Sequence, residues 1–187
     1  MRVMAPTLGY PAELERDLTL RDGSVVRIRP IRPDDAPRLQ ALHSRLSGES
    51  AYQRFFAIVR KLPPDWARAL ANVDYQRRLA LVVVAGGDAD LVGVGRYEPT
   101  NEADTVEVAF VVEDSWQNRG LGTILFDAIL QAAVARSFRR FRAYVLADNK
   151  RMLDLVSRFT RVESRKTEQG VIDLVFRLDP EKAPVAT

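Results

Sequence analysis

Read for the alternation of apolar and polar positions, the chain divides into strand-like and helix-like stretches that follow one another without a long break. Residues 1–17 hold no sustained period and include Pro6, Gly9 and Pro11, which predicts an N-terminal arm. Leu18-Thr19-Leu20 and Val25-Val26-Arg27-Ile28-Arg29 alternate faces around Asp22-Gly23 and predict a hairpin. A helix over 34–46 follows, capped by Asp34, with Ala36, Leu39, Leu42 and Leu46 as its apolar stripe. A short helix through Tyr52–Phe56 and another opening at Pro63-Pro64-Asp65, with Trp66, Leu70 and Val73 on one side, come next. Leu79–Ala85 and Leu91–Arg96 read as an antiparallel pair around Gly86-Gly87-Asp88, and Val106–Val112 as the following strand. A long helix runs over Leu121–Ser137, with Ile124, Leu125, Ala128, Ile129, Ala132 and Ala133 buried. The chain then reads as a strand at Phe141–Leu146, a helix at Asn149–Phe159 with Met152, Leu155, Val156 and Phe159 inward, and two strands at 161–166 and 171–178.

Strand pairs, helices and single strands in this order define an α+β chain. There is no internal repeat and no linker long enough to divide it, so residues 18–178 form one domain between an arm at 1–17 and a tail at 179–187. A length of 187 residues suits one domain with a real core. Cysteine is absent, which excludes disulfides, thiolate metal sites and a cysteine nucleophile. His43 is the sole histidine and sits on the apolar side of its helix, where a residue at the core's edge is the simpler reading; a zinc site is not expected. No run approaches the roughly 18 apolar residues of a membrane span and no signal segment is evident, so a cytoplasmic protein without membrane contact is expected. The net charge is +3, and all but four of the 28 basic residues are arginine. Arg136, Arg139, Arg140 and Arg142 cluster where a helix ends, which accounts for them without nucleic acid.

The stretch that carries chemistry is Glu107–Thr123, EVAFVVEDSWQNRGLGT. An apolar strand passes through a polar turn, Gln117-Asn118-Arg119-Gly120-Leu121-Gly122, into the long helix that starts near Thr123. Free backbone N–H groups at a helix start, with the positive end of its dipole, make an anion cradle. Two glycines let a phosphorylated ligand approach the backbone. The spacing is neither G-x-G-x-x-G nor a P-loop.

It does match Q/R-x-x-G-x-G/A, and with the order of elements over residues 18–178 the chain resembles the GNAT acetyltransferases. Within them it looks most like the catalytic domain of bacterial protein lysine acetyltransferases of the Pat type. That closer likeness rests on Leu20–Gly23 with Val26–Pro30, on Ser50–Phe56, on Glu107–Val112 and on Asp148–Leu153. The resemblance implies a GNAT fold, with a mixed, mostly antiparallel central sheet flanked by helices, and acetyl-CoA as cosubstrate without a metal. It implies that Gln117, Asn118, Arg119, Gly120, Leu121, Gly122 and Thr123 hold the CoA pyrophosphate. The strand would splay at a bulge near Phe110, Val111 and Val112, pairing with pantetheine, and an N–H of Val111 or Val112 would face the thioester oxygen.

Acyl transfer to an amine needs a held donor, a deprotonated amine and a stabilised oxyanion. Glu107, a carboxylate sharing a strand face with Ala109 and Val111, is the candidate general base, since desolvation there raises its pKa; the matching position in Pat-type enzymes is a catalytic glutamate. The alternative is a structural salt bridge to an arginine. Asn149 opens a helix and is a good N-cap; the resemblance adds a contact to pantetheine. Two departures stand out: Val156 occupies the place of a usual helix tyrosine, and Thr160-Arg161 that of a Gly-Phe pair. The expected activity is transfer of acetyl to lysine ε-amines of protein partners, AMP-forming acyl-CoA synthetases among the implied targets, by a monomer or homodimer. A small-molecule amine acetyltransferase and an acyl-CoA-binding GNAT module with little turnover are the alternatives.

Overall fold

A computed structural model describes residues 9–87 and 89–182. Strands β1 (Arg16–Thr19) and β2 (Val25–Pro30) form the expected hairpin, with Thr19 opposite Val25. Gly23 turns it at φ 83°, and Asp22 Oδ1 accepts the Ser24 N–H at 2.9 Å. The arm expected at 1–17 lies outside the described residues up to position 8, but from Tyr10 onward it is part of the fold. The Tyr10 ring meets Tyr75 edge-on at 5.6 Å, and its hydroxyl donates to Glu15 at 2.5 Å. A stretch without periodicity is thus docked by one aromatic side chain, which period counting does not detect.

Helix α1 (Ala36–Arg45) is entered through a 3₁₀ turn, Pro33–Asp35. The cap expected at Asp34 is supplied by its neighbour instead. Asp35 accepts the Arg32 N–H at 2.8 Å and takes both ends of the Arg29 guanidinium at 2.7 and 2.8 Å. Both side chains of that pair are 1% exposed. Burial alone would raise the Asp35 pKa, but the hydrogen bonds and charge of Arg29 outweigh it and hold the carboxyl below its usual range. Helix α2 (Gly48–Phe55) is capped by Ser47, whose hydroxyl accepts the Ser50 N–H at 3.1 Å, and stops where Phe56 turns left-handed at φ 53°. In α3 (Pro64–Ala71) the buried residues are Ala67 and Ala71, whereas Trp66, grouped by pattern with Leu70 and Val73, is 53% exposed. The two alanines allow α3 to approach the sheet and α1 closely, and the bulky ring is turned out.

The sheet continues with β3 (Leu79–Ala85), β4 (Asp90–Pro99) and β5 (Thr105–Val112), all antiparallel. After α4 (Leu121–Ala135) come β6 (Arg140–Leu146), α5 (Lys150–Phe159), β7 (Thr160–Glu168) and β8 (Val171–Leu178). The strand order is β1-β2-β3-β4-β5-β6-β8-β7. Only the β5–β6 pair is parallel among the described residues, so the fold is α+β with a mixed, mostly antiparallel sheet. Every residue of β3 is buried, because helices cover both faces: α1 and α3 close one core with Val82, Val84 and Val94, and α4 and α5 close the other with Val83, Val108 and Phe141. Helix α4 is apolar nearly all round and buries Leu121, Phe126 and Leu130 beyond the expected stripe, while Ile124 and Ala128 are only partly covered. In α5 the stripe is shallower than expected: Val156 is buried, and Met152, Leu155 and Phe159 are half-buried. No helix among the described residues is long and apolar enough to cross a membrane.

Candidate active site

The site is organised by the one place where the sheet comes apart. Strand β5 pairs with β4 in an unbroken register from Pro99↔Val106 to Gly93↔Val112. With β6 it pairs only at Thr105↔Arg140, Val106↔Phe141 and Glu107↔Arg142. Beyond Glu107 the two strands diverge. The splay expected near Phe110–Val112 is therefore real, but it is a parting of β5 from β6, not a bulge within β5. The Glu113 N–H donates to Val92 O at 2.8 Å, and backbone groups alternate sides along a strand. Val111 accordingly bonds toward β4, and Phe110 and Val112 direct their N–H groups into the gap. Alternation thus selects Val112, not Val111, as the open donor. The Val112 carbonyl on the same side accepts from Gln117 Nε2 at 3.0 Å.

Two glycines of β4 permit this. A Cβ at Gly95 would lie 2.8 Å from the Phe110 ring, and one at Gly93 3.2 Å from Leu125. Without side chains there, Phe110 folds onto β4 and α4 comes down on the sheet.

The turn into α4 is built as its residues suggest. Asn118 and Gly120 are left-handed, at φ 62° and 88°. The first helical bond is Ile124 N–H to Gly120 O, so the N–H groups of Leu121, Gly122 and Thr123 have no partner within the helix. Nothing lies within 4 Å of where a Cβ of Gly122 would stand, and Gly122 borders the cavity described below. That open wall fits a diphosphate drawn onto the backbone by N–H groups and the helix dipole. Gln117 braces the turn: besides Val112, its amide donates to Ser50 Oγ at 3.2 Å, and its oxygen accepts from Arg151 at 3.0 Å. It thereby ties α2, β5 and α5 together. Two residues expected in the cradle point elsewhere. Leu121 is a core side chain, 1% exposed, and contributes only backbone. The Arg119 guanidinium pairs with Asp22 at 3.0 Å and lies 4.6 Å from the Trp116 ring, locking the turn to the β1–β2 hairpin.

Between α2, β5, the turn, β6 and α5 lies a cavity of about 810 Å³. Of the expected residues, Glu107, Phe110, Val111, Val112, Gln117, Asn118, Gly120, Gly122, Thr123 and Asn149 line it. Glu107 is reachable from its mouth and forms no ion pair among the described residues. The Arg142 guanidinium, its cross-strand neighbour, is committed to Asp173 at 2.9 and 2.5 Å, so the structural salt bridge does not form. The walls withdraw Glu107 from water enough to raise its pKa; Arg54 and Arg142 pull it back, and Glu98 and Asp173 push it up again. The net displacement is upward.

Helix α2 is the contributor that pattern reading did not assign. Ser50, Gln53, Arg54, Phe55 and Phe56 all face the cavity. They fall in the Ser50–Phe56 stretch that carries part of the family likeness, which was the available signal. Arg54 is half-buried over the Phe55 ring, 5.0 Å from its centre, and loss of solvation pushes its pKa down to about 10. Tyr144 of β6 and Arg151 and Arg158 of α5 also border the space.

Asn149 caps α5, its oxygen accepting the Met152 N–H at 3.2 Å, and lines the cavity as well. Val156 is buried in the core at 1% exposure, so nothing at that position reaches the cavity. Thr160 runs straight from α5 into β7 with extended backbone, and its hydroxyl donates to Val156 O at 2.6 Å. A threonine that satisfies a helix-end carbonyl and begins a strand replaces the left-handed glycine by different means.

A sheet split beside a parallel pair, with a glycine turn and a helix start at the split, marks an acyltransferase with the GNAT fold. The acetyltransferase (GNAT) family model matches residues 48–159, and the chain belongs to that family. It is 36% identical to the GNAT domain of S. lividans PAT, with a TM-score of 0.82 over 90% of this chain and 99% of that one. It is 32% identical over 139 residues to acetyltransferase PA5475 of Pseudomonas aeruginosa, covering 73% of this chain and 75% of the relative. It is also 32% identical over 154 residues to acetyltransferase Pat of Mycolicibacterium smegmatis, covering 82% of this chain but 46% of that longer protein.

Proposed function

We propose that the chain transfers acetyl from acetyl-CoA to lysine ε-amines of protein substrates, with Glu107 as general base. One observation carries this reading: Glu107 is an unpaired carboxylate of raised pKa, lining the same cavity as the Gly120–Thr123 cradle. The likeness to the GNAT domain of S. lividans PAT over nearly that domain's full length supports the choice of acceptor class. The N–H groups at the start of α4 hold the diphosphate, and Asn149 and the open edge of β5 guide the pantetheine arm to the gap. Glu107 takes a proton from the amine, directly or through a water, as nitrogen attacks the thioester carbon. The oxyanion that forms is met by the Val112 N–H. The carbon–sulfur bond then breaks, the thiolate leaves and is protonated by water, and the amide remains on the acceptor. No covalent intermediate on the protein is needed, in keeping with the absence of cysteine. Acyl-CoA synthetases of the AMP-forming class are the proposed targets.

Thiol release from acetyl-CoA with lysine-bearing proteins tests the reading. Glu107→Gln should lower kcat about 10²- to 10⁴-fold with binding of acetyl-CoA retained. Tight acetyl-CoA binding without release to any acceptor would instead mark a binding module.

A further inference from the structure

Near Glu107 several arginines are committed to carboxylates, and Arg158, which also borders the cavity, is exposed beside the Phe159 ring. Arg142 holds Asp173, and both Arg78 and Arg96 hold Glu98. Arg54 is different: among the described residues it has no carboxylate within ion-pair distance and no hydrogen bond, although it is half-buried and faces the cavity. It lies at the Glu107 end, since Glu107 and Glu98 are the carboxylates whose charge it feels and the two are cross-strand partners on β4 and β5. A half-buried guanidinium without an anionic partner is costly to keep. Glu107, also unpaired, borders the same space. Two opposite charges thus border one cavity without forming an ion pair with each other.

We propose that Arg54 is the seat of a carboxylate carried by the acceptor, so that the acceptor meets the site with its ammonium toward Glu107 and a carboxylate toward Arg54. The planar fork of an arginine suits a carboxylate. The inference rests on the amine-acetylating reading above and narrows it, to acceptors with an acidic group a few bonds from the amine. That group is either the acceptor's own α-carboxylate or an acidic side chain next to the lysine in a peptide.

The test uses the CoA-loaded protein and two matched pairs: end-blocked peptides with Lys-Glu or Lys-Gln, and free lysine or lysinamide. Binding is measured by calorimetry and transfer by thiol release with acetyl-CoA. The wild type should prefer the acidic member of one pair about ten- to a hundredfold, the value of one charge-assisted hydrogen-bonded contact. Which pair shows the preference identifies the source of the carboxylate. In Arg54→Gln the ratio of acidic to neutral member should fall to near one, and Arg54→Lys, which keeps the charge, should retain part of it. A purely structural role would lower both members together and leave the ratio unmoved, which would overturn the proposal, as would the lack of binding by any member. A loss confined to succinyl-CoA relative to acetyl-CoA as donor would overturn it too, by placing the carboxylate on the acyl group. Charge preference in binding without any transfer would uphold the carboxylate seat and sink the lysine-acetylation reading; transfer without charge preference would do the reverse.

Discussion

Glu107 and Gly122 show how much of the chemistry sits in single side chains, present or missing. A base works only when deprotonated, and the cavity raises the Glu107 pKa, so activity should fall as pH drops through a value above the ordinary glutamate figure of about 4.3. A pH profile of kcat/KM should bend there in the wild type, and the bend should vanish in Glu107→Gln. Gly122 offers the opposite lesson. It has helical neighbours and open space where a Cβ would stand, so Gly122→Ala should leave the fold intact and raise stability by up to about 1 kcal/mol through helix propensity. The same methyl enters the cradle, so KM for acetyl-CoA should rise. Thermal melts and donor-titrated kinetics should move in opposing senses; a gain in stability with unchanged KM would refute the cradle. The residue types at both positions were legible from the sequence, because a carboxylate in an apolar strand and a glycine at a helix start are local signals. Arg54 and the committed guanidinium of Arg119 were not, since which arginine lacks a partner depends on residues tens of positions away.

At the scale of elements, helix α1 depends on a polar joint. The turn into α1 is fixed by Asp35 gripping Arg29 of β2 and the Arg32 backbone. Removing one partner of a buried pair strands the other charge, so Asp35→Ala should cost about 3–5 kcal/mol in urea unfolding. The sign of its pH dependence follows from the depressed pKa. The stabilisation is fully present above the unfolded value of about 3.9 and is lost as pH falls through the lower folded value. The wild type should therefore lose stability in acid over a range that the variant lacks. Sequence pattern found α1 but chose Asp34 as its cap, because capping preference sees only the local chain, whereas the choice between adjacent aspartates was made by an arginine on another strand. The same limit applies to α3, where pattern grouped Trp66 with Leu70 and Val73 and the close approach of helices favoured the alanines.

For the whole molecule, element order was almost fully readable, since strands such as β3 and helices such as α4 are long and strongly patterned. The seam was implied only by the family likeness and not by the pattern itself, because a strand that pairs for three residues and then diverges has the same sequence pattern as one that pairs throughout. That seam makes the sheet two half-sheets, β1–β5 and β6-β8-β7, joined by a short parallel ladder and covered by α4 and α5. Such halves can open with different free energies. On the function proposed above, acetyl-CoA lies between them and binds only when both are formed, so at about 100 times its Kd it should stabilise the native state by about 2.7 kcal/mol. Hydrogen exchange gives the sharper reading. In the free protein, core amides of β3–β4 and of β6–β8 should exchange with distinct opening energies, and with acetyl-CoA bound the two sets should converge. Within β5 the gain in protection should fall on Phe110 and Val112, which face the gap, and spare Ala109 and Val111, which alternation directs to β4. Protection confined to one half-sheet, or spread evenly over β5, would show that the donor does not lie in the seam.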